Sequence, residues 1–167
     1  CVACDQYTSQ PNYWERVEQY VGQAPSTLRL MLPEIYLGCP GEAERIEAIR
    51  QTMREYLEKG VLQSRGEGMV YLERTAAGRM RRGVMLALDL ERYDYRKGSQ
   101  TLIRATEGTI PERIPPRLRV RRGAALELPH ILVLIDDPAG TVIEPLAAQN
   151  EAMEPLYDTD LMEQGGH

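Results

Sequence analysis

The stretch "LIRATEGTIPERIPPR", residues 102–117, sets Arg104, Arg113 and Arg117 around Glu107, Thr106 and Thr109 and interleaves them with three prolines. A guanidinium presents a planar fork of N–H donors that matches phosphate or carboxylate oxygens, and a proline-stiffened backbone holds such forks at little entropic cost. The basic run continues through Arg119, Arg121 and Arg122. Glu107 lies in "ATEGT", a tight-turn composition in which Gly108 lets backbone approach a ligand closely. A carboxylate there can take a proton from a substrate hydroxyl, while Thr106 and Thr109 orient the substrate or contact phosphate oxygens. From composition alone two readings stand. The arginines form a wall of a phosphate-handling site, or they pair with acidic residues elsewhere and Glu107 is a solvated turn residue; composition leans to the second.

The charge distribution gives the second reading its partner. All 20 Lys and Arg lie in residues 1–122 against 16 acids, whereas residues 123–167 hold 9 acids and no Lys or Arg. Such an acidic segment is expected either to fold back on the basic cluster or to lie solvated, with the fold-back favoured. The net charge of −5 argues against nucleic acid as a partner, because a dedicated binder carries positive charge over the whole domain. No stretch approaches 18 uncharged apolar residues, so no membrane span is expected. The chain opens at Cys1 with neither a methionine nor a leader-like basic and apolar sequence, which reads as a piece of a longer protein.

Three cysteines make a poor disulfide framework, and the odd count fits a reducing cytoplasm. "CVAC" has the spacing of half a zinc site without a second half, so no metal site is assigned and Cys4 reads as buried and inert. "ILVLIDDP" has the shape of a strand ending in magnesium-binding carboxylates, Asp136 and Asp137. The glycine-rich phosphate loop that accompanies such a strand is missing, and Asp-Pro is a turn signal by itself. His130 reads as a packing residue. No cofactor is evident from these residues, and the sequence carries no signal for oligomeric state.

These groups must be positioned by regular elements. Pro11, Trp14, Val17 and Val21 predict a short amphipathic helix stopped by Gly22, and "STLRLML" alternates like a strand. Residues 41–59 predict the clearest helix: Ile46, Ile49, Met53, Tyr56 and Leu57 share a face, acids crowd the start and bases the end, and Gly60 follows. "GMVYLERT" and "GRMRRGVMLALDL" around "AAG" predict a β-hairpin with Gly78 at positive φ, its second strand inside a sheet. Pro115 and Pro116 predict an irregular bend over residues 108–116, followed by one or two helical turns. "HILVLIDDP" is the strongest strand pattern, and Thr141 with Glu144 gives a capping-box spacing for a helix from Val142 toward Met153. The expected fold class is α/β, a mixed α+β domain with a central mixed sheet, a β-hairpin and flanking amphipathic helices. Residues 1–167 are expected to form one domain, or the N-terminal portion of a longer protein.

Four strings, "ACDQYTSQP", "APSTLRLMLPEIYL", "GSQTLIRATEGTIPERIPPR" and "LELPHILVLIDDP", resemble the clostridial branch of the bacterial family catalogued as domain of unknown function 1015, and the resemblance covers essentially the whole chain. In that family the segment resembles Lys-Arg-His-Glu-x-Thr followed by Pro-Glu. Here Glu107, Thr109, Pro111 and Glu112 match, Arg104 keeps the leading positive charge, Arg113 and Arg117 hold later basic positions, and Ala105 and Thr106 replace the arginine and histidine.

The family looks related to the ParB and sulfiredoxin superfamily, which includes free serine kinases. That relation implies a nucleotide ligand, ATP or ADP with Mg²⁺, and phosphoryl transfer to a small hydroxyl metabolite such as L-serine. Glu107 would be the base, Arg104, Arg113 and Arg117 would neutralise phosphate, and Thr106 and Thr109 would orient substrate. The family's Asp-Gly-His-His type motif has no counterpart here, so the chain would supply one half of a site and be inactive alone. The alternative is a nucleotide- or anion-binding regulatory module without catalysis.

Overall fold

The computed structural model describes residues 4–94, 96–104, 108–128 and 130–158. They form a mixed α+β structure with four α-helices and one two-stranded antiparallel sheet. The chain divides into two compact units, the first comprising Cys1–Ser64 and Glu107–Ile131 and the second Arg65–Thr106 and Leu132–His167.

In the first unit, helix α1 (Pro11–Val21) opens on a proline whose missing N–H costs nothing in a first turn. Trp14 is fully buried, and its Nε1 donates to the carbonyl of Gln6 at 3.2 Å. Gly22, at φ 52°, ends the helix and donates its N–H to the carbonyl of Glu18. Helix α2 (Glu42–Glu58) matches the expected boundaries. Ile46, Ile49 and Met53, at spacings of three and four, turn one face into a core that also buries Leu30 and Leu32. Val120, Ala124, Leu126 and Leu128 pack on that core from the far end of the sequence. Tyr36 joins the first two helices: its hydroxyl donates to Glu18 Oε1 at 3.0 Å, and the Arg45 guanidinium lies 3.9 Å over its ring.

Two expectations are corrected in this unit. "STLRLML" is not a strand: Thr27–Leu30 is a 3₁₀ turn. Ser26 Oγ accepts from the N–H of Leu28, and the Tyr56 hydroxyl accepts from the N–H of Ser26, so local side chains take up donors that a sheet ladder would have used. Of the stretch expected to be irregular, residues 108–110 carry no regular element, but 111–116 do. A 3₁₀ turn, Pro111–Arg113, leads directly into helix α3 (Ile114–Arg121), with Pro115 and Pro116 in its first turn, where their missing donors would have had no partner.

The second unit holds the hairpin, strands β1 (Val70–Ala76) and β2 (Arg79–Met85), in the register Val70 to Met85 and Ala76 to Arg79. Ala77 and Gly78 both have positive φ, 49° and 71°, which matches the tight two-residue loop that right-twisted strands favour. Glu73 opposes Arg82 and pairs with it at 3.0 Å. The expected interior position of the second strand is corrected: β2 pairs only with β1 among the described residues, and Leu86 and Leu88 are exposed.

Helix α4 (Ile143–Gln149) is shorter than expected and gives way to a 3₁₀ turn, Asn150–Ala152. "ILVLI" forms no strand. Ile131 to Ile135 are exposed, from 48% at Val133 to 88% at Ile131, because no described segment supplies a ladder for them. A run of apolar residues registers the need for cover without naming the partner.

Candidate functional site

The residues flagged by the sequence fall on three places. Thr106 and Glu107 lie outside the described residues. Arg104 belongs to the second unit, where a parallel bridge between Tyr93 and Ile103 fixes the backbone just before it. Its Nε donates to the carbonyl of Thr101 at 2.9 Å, and the Thr101 hydroxyl donates to the carbonyl of Ile103 at 2.9 Å. The guanidinium is thus steered by one backbone acceptor and meets no carboxylate among the described residues.

Thr109, Arg113 and Arg117 belong to the first unit. Thr109 is exposed just ahead of the Pro111–Arg113 turn, whose closing hydrogen bond runs from the N–H of Arg113 to the carbonyl of Ile110 at 3.1 Å. Arg113 is the residue before α3 and Arg117 follows four positions later, so both project from one side of the helix start. Their surroundings differ. Arg117 Nη2 lies 3.5 Å from Asp5 Oδ2 and 3.6 Å from Glu34 Oε1, so two carboxylates already share its charge. The exposed Arg113 side chain has no hydrogen-bond or ion-pair partner among the described residues. Of the three arginines singled out, Arg113 is the one within the first unit whose fork is uncommitted.

Among the described residues Arg119 pairs with Glu42, Arg117 with Asp5 and Glu34, and Arg121 with Glu127. Sequence reasoning missed the Glu42 contact. Its Oε2 accepts from the N–H of Gly38 at 2.6 Å and its Oε1 from Arg119 Nε and Nη2 at 3.0 and 2.9 Å. The Gly38 N–H, and then Arg119, hold the Glu42 carboxyl below the usual glutamate range. An acidic first helical turn was the only local trace of that contact, since the partner lies 77 residues away.

Asp137 acts within its own loop. Its Oδ2 accepts from the N–H groups of Thr141 and Val142 at 2.7 and 2.8 Å, and its Oδ1 from the Thr141 hydroxyl at 3.0 Å. The Val142 N–H in particular holds its carboxyl below the usual range. The capping-box expectation is corrected here: Thr141 spends its hydroxyl on Asp137, and Asp137 orders the entry to α4. Among the described residues no three His, Cys, Asp or Glu side chains gather as a metal site. Cys4 is half-buried, and burial first, then Asp5 and Glu34, push its thiol up, away from the reactive thiolate. No described helix is long and apolar enough to cross a membrane.

The family model described as "Protein of unknown function (DUF1015)" matches residues 1–167. No curated protein and no solved structure matches the chain.

Proposed function

We propose, for a chain that belongs to the DUF1015 family, that the segment Arg104–Arg117 handles the phosphates of a nucleotide, ATP or ADP with Mg²⁺, during phosphoryl transfer to a small hydroxyl metabolite. Free L-serine is the substrate of choice through the likeness to the ParB and sulfiredoxin superfamily, and the cytoplasm, where both reactants occur, is the compartment. Glu107 takes the proton from the substrate hydroxyl as that oxygen attacks the terminal phosphorus, the phosphoanhydride bond breaks, and the nucleotide leaves one phosphate shorter. Arg104, Arg113 and Arg117 offset the charge on the transferring group, and Thr106 and Thr109 orient the hydroxyl. Phosphoryl transfer asks the protein mainly for positioning and charge neutralisation, which these residue types supply. The observation that carries the reading is the pairing of Glu107-x-Thr109 with an arginine, Arg113, that has no carboxylate partner among the described residues. The test is the full-length protein with nucleotide, Mg²⁺ and L-serine. Phosphoserine is expected, with a loss of about 100-fold or more in Glu107→Gln; an unchanged rate in that variant refutes the assignment.

A second reading is a regulatory module that binds a nucleotide or another anion without turnover. It is favoured by the same uncommitted Arg113, which can meet an anion whatever Glu107 does. Nucleotide binding in calorimetry with no phosphoserine formed selects it.

A further inference from the structure

A cavity of about 460 Å³ opens between α2 and α3, both in the first unit. Ala43 of α2 and Pro115 and Leu118 of α3 give it apolar walls, and Arg50, Arg119 and Arg122 stand around them. None of the residues assigned to phosphoryl transfer above is among its described lining.

The three cations are committed to different degrees. Arg119 rests on Glu42 at 2.9 Å. Arg50 sets Nη1 on Glu47 Oε2 at 3.3 Å and donates through Nη2 to the carbonyl of Arg119, which ties α2 to α3. Arg50 Nε, however, is buried and meets no acceptor, a state that costs free energy unless a ligand or water relieves it. Arg122 is exposed and has no hydrogen-bond or ion-pair partner among the described residues. Glu42 pairs with Arg119, and Glu47 is shared between Arg50 and Arg54 at 3.3 Å each, so Arg122 is the lining cation without a carboxylate among the described residues, and it stands beside an apolar surface.

We propose that this cleft binds a small monoanion with an apolar body, an alkyl or aryl carboxylate. Its oxyanion pairs with Arg122, and its body lies against Ala43, Pro115 and Leu118. The Arg122 fork, without a carboxylate among the described residues, suits one oxyanion, and the volume falls within the usual range for small-molecule sites. The apolar walls set the preference: a bare inorganic anion gains only an exposed charge contact, which water and salt weaken.

Isothermal titration calorimetry on the intact chain compares octanoate with acetate. Octanoate is expected to bind at least about tenfold more tightly than acetate. Arg122→Gln and Ala43→Leu, which removes the cation or fills the cleft, each weaken that probe about tenfold, whereas Arg65→Gln does not. Circular dichroism checks each fold, and Leu118→Asn, at an exposed position, gives the same reading should Ala43→Leu unfold. ATP affinity unmoved by Arg122→Gln separates this site from the one proposed above. No binding of octanoate by the folded chain, or binding indifferent to Arg122→Gln and Leu118→Asn, overturns the proposal.

Discussion

Replacing Ile49 by alanine tests the core on which α3 is hung. Ile49 is 6% exposed and shares a cluster with Leu30, Leu32, Ile46 and Met53. The substitution removes three carbons, worth roughly 2.4 kcal/mol at about 0.8 kcal/mol for each. Incomplete collapse of the space left behind adds to this, for an expected loss of about 3 to 4 kcal/mol. Urea unfolding followed by tryptophan fluorescence suits the measurement, since the chain has a single tryptophan and Trp14 is fully buried in the same unit. With a slope of about 2 kcal/mol per molar urea, the midpoint should fall by about 1.5 to 2 M. Leu134→Ala is the comparison: that residue is 80% exposed, and its truncation should stay within about 0.5 kcal/mol. A loss below about 1 kcal/mol for Ile49→Ala, or an equal loss for Leu134→Ala, would refute the assignment of core and surface.

Two further outcomes follow from local geometry. Gly78→Val puts a β-branched residue at φ 71° in the hairpin loop, so it should destabilise the β1–β2 ladder by about 1 to 2 kcal/mol, read as faster amide exchange at Glu73 and Arg82. Glu42, Glu73 and Asp137 have carboxyls held below their ordinary values of 4.5, 4.5 and 3.8. A depressed folded value contributes stability that is present above the unfolded value and lost as pH falls through the folded one. The melting temperature should therefore hold from neutrality down to about pH 5 and fall below it, and Glu42→Gln should flatten that fall; a melting temperature that rises on acidification contradicts the pairing.

Helices α1 and α2 and the hairpin were legible because their signals are local. Pro11 before Trp14, the Ile46, Ile49 and Met53 spacing, and Gly78 at a two-residue loop each settle their element within a few residues. Strands beyond the hairpin were not, since "STLRLML" and "ILVLI" announce buried residues or a need for them, and the partner that decides strand or turn lies elsewhere. At Ser26 a side-chain cap and the Tyr56 hydroxyl decided for the turn. The double proline misled for a related reason: Pro115 and Pro116 break a helix interior but suit its first turn, and only the position of Ile114 tells which applies. In the candidate site, the sequence marked the arginines without their partners. Asp5 and Glu34 reach Arg117 from more than eighty residues away, which separates it from Arg113 in a way that composition cannot.

That difference provides the most direct test of the phosphate-handling claim. ATP binding by the full-length protein is measured calorimetrically for Arg113→Gln and Arg117→Gln beside their melting temperatures. Arg113→Gln should weaken ATP about tenfold while leaving the melting temperature unchanged, because the side chain gives up a phosphate contact and no internal pair. Arg117→Gln should lower both, its stability loss staying within about 1 kcal/mol for a half-exposed pair. No ATP binding, or an affinity that Arg113→Gln does not change, contradicts the claim.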